Sequence, residues 1–334
     1  MNNQNQGKLL TMTASPHIKS PIKTHNIMFD VIIALLPALF WAIYIFGFRS
    51  LTLTVISVVS CVLFEYLYRK IMRKSNTITD LSAVVTGILL AFCLPVSVSL
   101  WIPVVGAFFA IVIVKQLYGG IGKNVVNPAL AARVFLFISF PSQLSGDAFT
   151  KPYVHLPAFS INVNITDEIK AGATPMAVIK NGVLPESSEL SCMLGGIAGC
   201  IGEISATMLI LGGIYLLLRK VITWHIPVTL LATVAVISFL FPLGDISGFE
   251  FMQYQLFSGG VVIGAIFMAT DYVTSPVTAK GKVIFGIGCG LITMFIRYFG
   301  GYPEGVSFAI LIMNLFVWYL DKGTKPICFG GARK

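Results

Sequence analysis

The residues best placed to do chemistry lie in a few polar islands of an otherwise apolar chain. One is Asp167-Glu168-Ile169-Lys170-Ala171-Gly172-Ala173-Thr174-Pro175-Met176-Ala177, inside the one long polar segment, roughly Ser142 to Glu189. Gly172 and Ala173 leave the Thr174 hydroxyl sterically open, and Pro175 stiffens the backbone just after it. Gly-Ala-Thr-Pro is also ordinary turn material. Its position, on the obvious water-facing loop of a membrane chain, is what marks it. A second island is Thr270-Asp271-Tyr272-Val273-Thr274-Ser275-Pro276, where a short apolar run stops at an ionisable group. A carboxylate at a break in a membrane helix points to an ion or ligand site, because leaving it buried and unpaired costs several kcal/mol. The same Thr270, Asp271, Thr274 and Ser275 are equally suited to capping free backbone groups, and the residues alone leave both readings open. Asn127-Pro128-Ala129 opens a further apolar run, and Glu65 and Glu203 are two more carboxylates within such runs, with Glu65 in reach of Arg69 by snorkelling.

No catalytic triad or metal-ligand set is discernible. The six cysteines, Cys61, Cys93, Cys192, Cys200, Cys289 and Cys328, form no CxxC pair and read as small buried hydrophobes. His17 has no second ligand at a useful spacing. No Rossmann or Walker glycine pattern is present, so NAD and nucleotide sites must belong to partners.

The elements that must position these residues are membrane helices. Of the 334 residues 56% are hydrophobic and 11% charged, against about 25% charged in a soluble protein. Several runs approach the length of about 20 residues that crosses a bilayer. The net charge of +9 is spread over short loops, which is a topology signal and argues against a nucleic-acid partner. The first 26 residues are polar and lack the apolar core of a cleavable signal, so the first helix is expected to act as its own targeting signal.

Apolar runs begin at Ile27, Leu51, Leu81, Leu100 and Asn127, and again near Cys192, Val221, Leu256, Val283 and Val306. The expected fold is therefore all-α and polytopic, with about ten transmembrane helices. We divide it into a cytoplasmic N-terminal arm (1–26), a first transmembrane repeat (27–141), an extracytoplasmic loop bearing Thr174 (142–190), a second transmembrane repeat (191–320) and a cytoplasmic tail (321–334). One alternate set of connections, with Arg69–Lys74, Lys115–Lys123, Arg219–Lys220 and Lys280–Lys282, is rich in Lys and Arg. The other holds Arg49, the Thr174 loop, an Asp245/Glu250 loop and Arg297. The positive-inside rule then places both termini in the cytoplasm and Thr174 outside.

The two halves share an order of features. Gly87–Pro95 and Gly264–Asp271 are short helices broken by proline or polar residues, each followed by a full helix, a double glycine (Gly119-Gly120, Gly300-Gly301) and a last helix. Five spans per half force the halves to enter the membrane in opposite directions. Paired interrupted helices in inverted halves point to a midplane site for an ion or small molecule; glycines that merely permit close packing are the plainer reading.

Several motifs together resemble one family. These are Ser15-Pro16-His17-Ile18, Gly119-Gly120 with Asn127-Pro128-Ala129, Gly172-Ala173-Thr174-Pro175, and Met268-Ala269-Thr270-Asp271 with Thr274-Ser275-Pro276. The pattern is similar, over essentially the whole chain, to the family that includes the D subunit of the Rnf ion-translocating ferredoxin:NAD oxidoreductase and the B subunit of the sodium-pumping NADH:quinone reductase. The short arm favours the Rnf branch. The resemblance implies FMN joined through its phosphate to Thr174, with Gly172, Ala173 and Pro175 as the attachment motif. It implies a flavin-attaching enzyme, lipid and other Rnf subunits as partners, the bacterial inner membrane as location, and electron relay coupled to Na+ or H+ movement. Riboflavin is a second, noncovalent cofactor the resemblance allows, and Asp271, Thr274, Ser275 and Asn127 are the candidate ion or second-flavin site. Two positions depart from the family pattern: Ala171 stands where a serine is usual, and Tyr272 where a proline is. The rivals are the quinone-reductase B subunit, an inverted-repeat transporter without redox chemistry, and a scaffold.

Overall fold

A computed structural model describes residues 23–150, 152–154, 156–161, 174–185, 188–301 and 304–326. Helix dominates, and no strand element occurs among the described residues. The first half comprises α1 (Thr24–Phe46), α2 (Phe48–Ile71), α3 (Ser82–Phe92), α4 (Ile102–Gln116) and α5 (Pro128–Ser139). The connecting segment carries two short helices, α6 (Pro175–Lys180) and α7 (Glu189–Leu194). The second half comprises α8 (Ala206–Leu218), α9 (His225–Leu240), α10 (Gly248–Phe257), α11 (Val261–Met268), α12 (Ala279–Phe299) and α13 (Val306–Thr324).

Local chemistry sets the boundaries. Gly47, at φ 79°, is the single-residue joint between α1 and α2, a conformation that glycine takes without steric penalty. Asn127 caps α5 with Pro128 at its first position, and Thr174 caps α6 with Pro175 in the same place. Four helices, α1, α2, α12 and α13, are long and apolar enough to cross a membrane singly. The pair α10–α11 is a broken span bent by 62°, and α3, α4, α5, α8 and α9 are shorter apolar helices.

The ten expected runs map onto these elements, with one correction. Glu250 does not lie in a loop: Ser247 accepts from the Glu250 amide at 3.3 Å and starts α10, whose Phe251 and Tyr254 are buried. The polar letters Glu, Gln and Gln in this helix obscured it as an apolar run.

The halves are inverted. Asp30, near the start of α1, accepts from Tyr215 and pairs with Arg219 (3.3 Å) at the finish of α8. Trp41, near the finish of α1, donates to Leu194 O at the close of α7, beside Met193 O, which accepts from Thr207 at the start of α8. The two first helices therefore run antiparallel. Each half repeats the same packing: α2 on α3 and α4, α9 on α10 and α12, and fourth helix on fifth. Across the halves first packs on first and fifth on fifth. Gly212 permits the α1–α8 contact, because a Cβ there would stand 2.1 Å from Ala34 O.

The bundle has two distinct ends. One gathers the start of α1, the close of α2 with Arg69 and Lys70, the close of α8, and the start of α12 with Lys280 and Lys282. This is the basic end. The other holds the α1–α2 joint, the close of α12 and the start of α13. Helix α6 packs against α10 at this second end, and Lys180 donates to Gly300 O.

Candidate functional site

Thr174 lies at the end opposite the basic loops. It is half-buried, in extended backbone (φ −56°, ψ 147°), and its Oγ1 accepts from the Ala177 amide at 3.4 Å. Pro175 and Met176 behind it are buried. Gly172 and Ala173, and the departure at Ala171, lie outside the described residues. Beneath Thr174 is a cleft of only about 10 Å³, walled by Ile197, Gly199, Glu203, Ser258 and Glu304. Arg133, from α5, bridges the two carboxylates there: its Nη2 is 3.2 Å from Glu203 and in direct contact with Glu304.

Near the basic end a much larger cavity, about 390 Å³, opens between the halves. That volume falls within the roughly 300–1,000 Å³ of small-molecule sites. Its apolar walls come from Ile27, Met28 and Val31 of α1, Leu89 of α3, and Ile266 and Phe267 of α11. Its polar groups are Ser82, Thr86, Lys115, Asn124, Asn127, Thr270 and Asp271. Helices α4 and α11 both adopt π-helical geometry as they reach it, over Phe109–Gln116 and Gly264–Met268, a local widening common at functional sites.

Two of the four residues marked from sequence, Asn127 and Asp271, line this cavity, and Thr274 and Ser275 fold behind Asp271. Asn127 is buried; its Oδ1 accepts from the Ala129 and Leu130 amides, and its Nδ2 donates to Met268 O at 3.2 Å. One side chain thus starts α5 and pins the close of α11. Asp271 lines the cavity while accepting from the Val273 amide (3.4 Å) and from Thr274 Oγ1 (3.2 Å), so it caps the break and faces the cavity at once. Ser275 is buried behind this turn and does not line the cavity. Tyr272 also lines the cavity and donates to Val221 O on the same wall.

Several residues differ from the sequence expectation. Glu65 does not snorkel: it is fully buried and accepts from Lys115 Nζ at 2.8 Å, with Arg69 Nε more distant at 3.9 Å. Lys115, Arg49 and Arg297 are not loop cations. Lys115 is 3% exposed. Arg49 is 0% exposed and donates to the carbonyls of Val96, Val98, Pro157 and Ser160 at 2.8–3.0 Å, clamping the segment between α3 and α4. Arg297 donates to Gln255 O and Oε1, both at 2.6 Å, and to Ser258 O at 3.5 Å. Arg133 and Glu304 were missed altogether. The available signal was a lone arginine inside an apolar run. The cysteines Cys61, Cys93, Cys192, Cys200 and Cys289 are free and buried, as expected; Cys328 lies outside the described residues. Among the described residues no group of three His, Cys, Asp or Glu side chains could hold a metal.

Residues 11–330 match the model of the NQR2, RnfD, RnfE family. The chain is 47% identical over 324 residues to the D subunit of the Na(+)-translocating ferredoxin:NAD(+) oxidoreductase complex of Acetobacterium woodii, covering 96% of this chain and 95% of the relative. It is 37% identical over 336 residues to the proton-translocating counterpart from Clostridium ljungdahlii, covering 97% of each. The D subunit of an ion-translocating oxidoreductase complex of Escherichia coli is 35% identical over 346 residues, with 96% and 98% covered. This multi-pass helical membrane protein belongs to the NQR2, RnfD, RnfE family.

Proposed function

We propose that the chain is the D subunit of an ion-translocating ferredoxin:NAD+ oxidoreductase complex, relaying electrons through FMN esterified to Thr174. A second, noncovalent flavin, riboflavin, occupies the cavity near the basic end. The protein works in the bacterial cytoplasmic membrane with its basic end inward and Thr174 outward, among the other Rnf subunits. The observation that carries this reading is the Thr174 hydroxyl, held at a helix start on the end opposite the basic loops and above an interior too full to admit a ring.

A bound flavin accepts and passes on electrons singly or in pairs. The chain's own groups set its surroundings. Thr174 supplies the ester oxygen, and Pro175 and Met176 anchor the attachment turn in the protein. In the cavity, the walls of α1, α3 and α11 exclude water from a planar ring. The Thr86 and Thr270 hydroxyl oxygens offer acceptors at its edges, while Lys115 and Asp271 put opposite charges on the lining.

The test is in-gel flavin fluorescence of SDS-denatured protein beside Thr174→Ala, expressed with the flavin-attaching enzyme. A fluorescent band absent from the variant supports the reading. A dark wild type, with the enzyme active on a control substrate, contradicts it. That result favours the transporter reading, for which the cavity between broken helices, with Asp271 on its lining, is the relevant observation. A B subunit of a quinone reductase shares the covalent flavin and is separated by assay with quinone against ferredoxin and NAD.

A further inference from the structure

The cavity wall holds a lysine that does more than the packing needs. Lys115 Nζ donates to Glu65 Oε2 at 2.8 Å and to Ser82 Oγ at 2.6 Å. The other Glu65 oxygen accepts from Thr77 Oγ1 at 2.7 Å. Thr77 is half-buried, and its neighbours Ser75 and Asn76 are exposed at the basic end. The contacts therefore form a continuous chain, Lys115–Glu65–Thr77, running from the cavity lining to the aqueous face. Beside it, Arg69 Nε and both amide atoms of Gln116 are buried without a hydrogen-bond partner among the described residues. Both side chains crowd the same spot at Gly120. Buried polar groups of this kind are where proteins hold internal water.

The other half shows what a purely structural cation looks like at the same station. Arg297, in the last turn of α12, ties the fourth helix to the break before the third by donating to the backbone and side chain of Gln255. An arginine there stays charged at any working pH. Lys115 does the same tying at the last turn of α4, but with a side chain that can release a proton, a carboxylate partner that can accept one, and a cavity in front of it.

We propose that Lys115 and Glu65 form a proton relay between the basic end and the ligand of the cavity. This rests on the reading that the ligand is a flavin. Each electron pair that a flavin accepts near neutral pH brings one proton with it. The electrons come from a reduced redox centre of a partner protein in the complex. The proton leaves Lys115 Nζ, which becomes a neutral amine, and Glu65 restores it with a proton drawn from the aqueous face past Thr77. The other charged groups around the pair are Arg69 on α2, Asp80 through Ser82, and Asp271 on the cavity lining. Cys61 lies one turn away on α2.

The test uses the full chain carrying Thr174→Ala, so that only the noncovalent flavin remains. Flavin bleaching by reduced methyl viologen, which gives up its electron without releasing a proton, is followed together with proton uptake from a pH indicator in stopped flow. Lys115→Arg keeps the charge and holds its proton; Glu65→Gln keeps a hydrogen-bonding group and loses the carboxylate. Each is expected to slow bleaching and proton uptake together by about tenfold or more per bound flavin. Methylammonium is expected to restore the rate in Lys115→Ala. Lys115→Arg bleaching at the parent rate with parent proton uptake overturns the relay alone. A parent protein that releases no flavin on denaturation overturns the cavity reading and the relay with it.

Discussion

Lys115 and Arg297 occupy one station of an inverted repeat and have diverged. Each stands in the last turn of its half's fourth helix and ties it to the break before the third. The break at Lys115 contains Leu81 at φ 61°, and the one at Arg297 contains Gly259 at φ 75°. In the first half a single 3-10 turn, Ile78–Asp80, precedes the break; in the second, the ten residues of α10 do. The stations lie at opposite ends of the bundle. At the basic end the cation meets a carboxylate and a serine hydroxyl on the wall of a 390 Å³ cavity. At the Thr174 end Arg297 is absorbed by carbonyls and Gln255, Arg133 holds the two carboxylates, and only about 10 Å³ stays open. The lesson is that one packing scheme leaves a hollow where its cation meets a carboxylate and closes the space where its cation is absorbed by carbonyls. On the proposed function, the covalent cofactor at the filled end lies outside the bundle interior, on Thr174.

This contrast can be broken most severely at Arg297. Arg297→Met leaves the Gln255 and Ser258 carbonyls buried without their donor and is expected to cost about 3–5 kcal/mol, read as a large drop in thermal midpoint in detergent. Lys115→Met is expected to cost less, about 1–3 kcal/mol, because the Thr77 hydroxyl stays on Glu65 and the Arg69 guanidinium stands 3.9 Å from it. Equal losses would mean that the stations are equivalent. Gly212→Ala forces a methyl group against Ala34 O and is expected to destabilise the seam between the halves by about 1–3 kcal/mol. On the proposed function, flavin attachment at Thr174 should survive this change, so its loss would show that the two ends are not independent. Asn127→Ala removes a helix cap and the bond to Met268 O, costing about 1 kcal/mol in stability. Here the sharper readout is loss of the extractable flavin at constant covalent flavin.

Much of this contrast was legible in the sequence, and the rest was hidden for a definite reason. Runs of apolar letters gave the helices, because burial in lipid demands them. Asn127-Pro128 and Thr174-Pro175 declared helix starts, because only a few residue types cap while proline tolerates the first position. The cations at helix ends misled, because hydropathy assigns a charge at the edge of a run to the loop. Lys115 meets Glu65 from 50 residues away, and Arg133 meets Glu203 and Glu304 from 70 and 171. Such pairings belong to the packing of helices and leave no periodic trace along the chain. The α10 helix was hidden by Glu250, Gln253 and Gln255, polar letters that lower the hydropathy of a partly buried helix.

On the function proposed, flavin is tethered at one end of the bundle and merely enclosed at the other. The direct measurement is to denature purified wild-type chain, co-expressed with the flavin-attaching enzyme, and to quantify flavin retained with the polypeptide against flavin passing a filter. Equal retained and released amounts are predicted, with Thr174→Ala retaining none and releasing the same quantity. Flavin confined to one fraction in the wild type would contradict the claim.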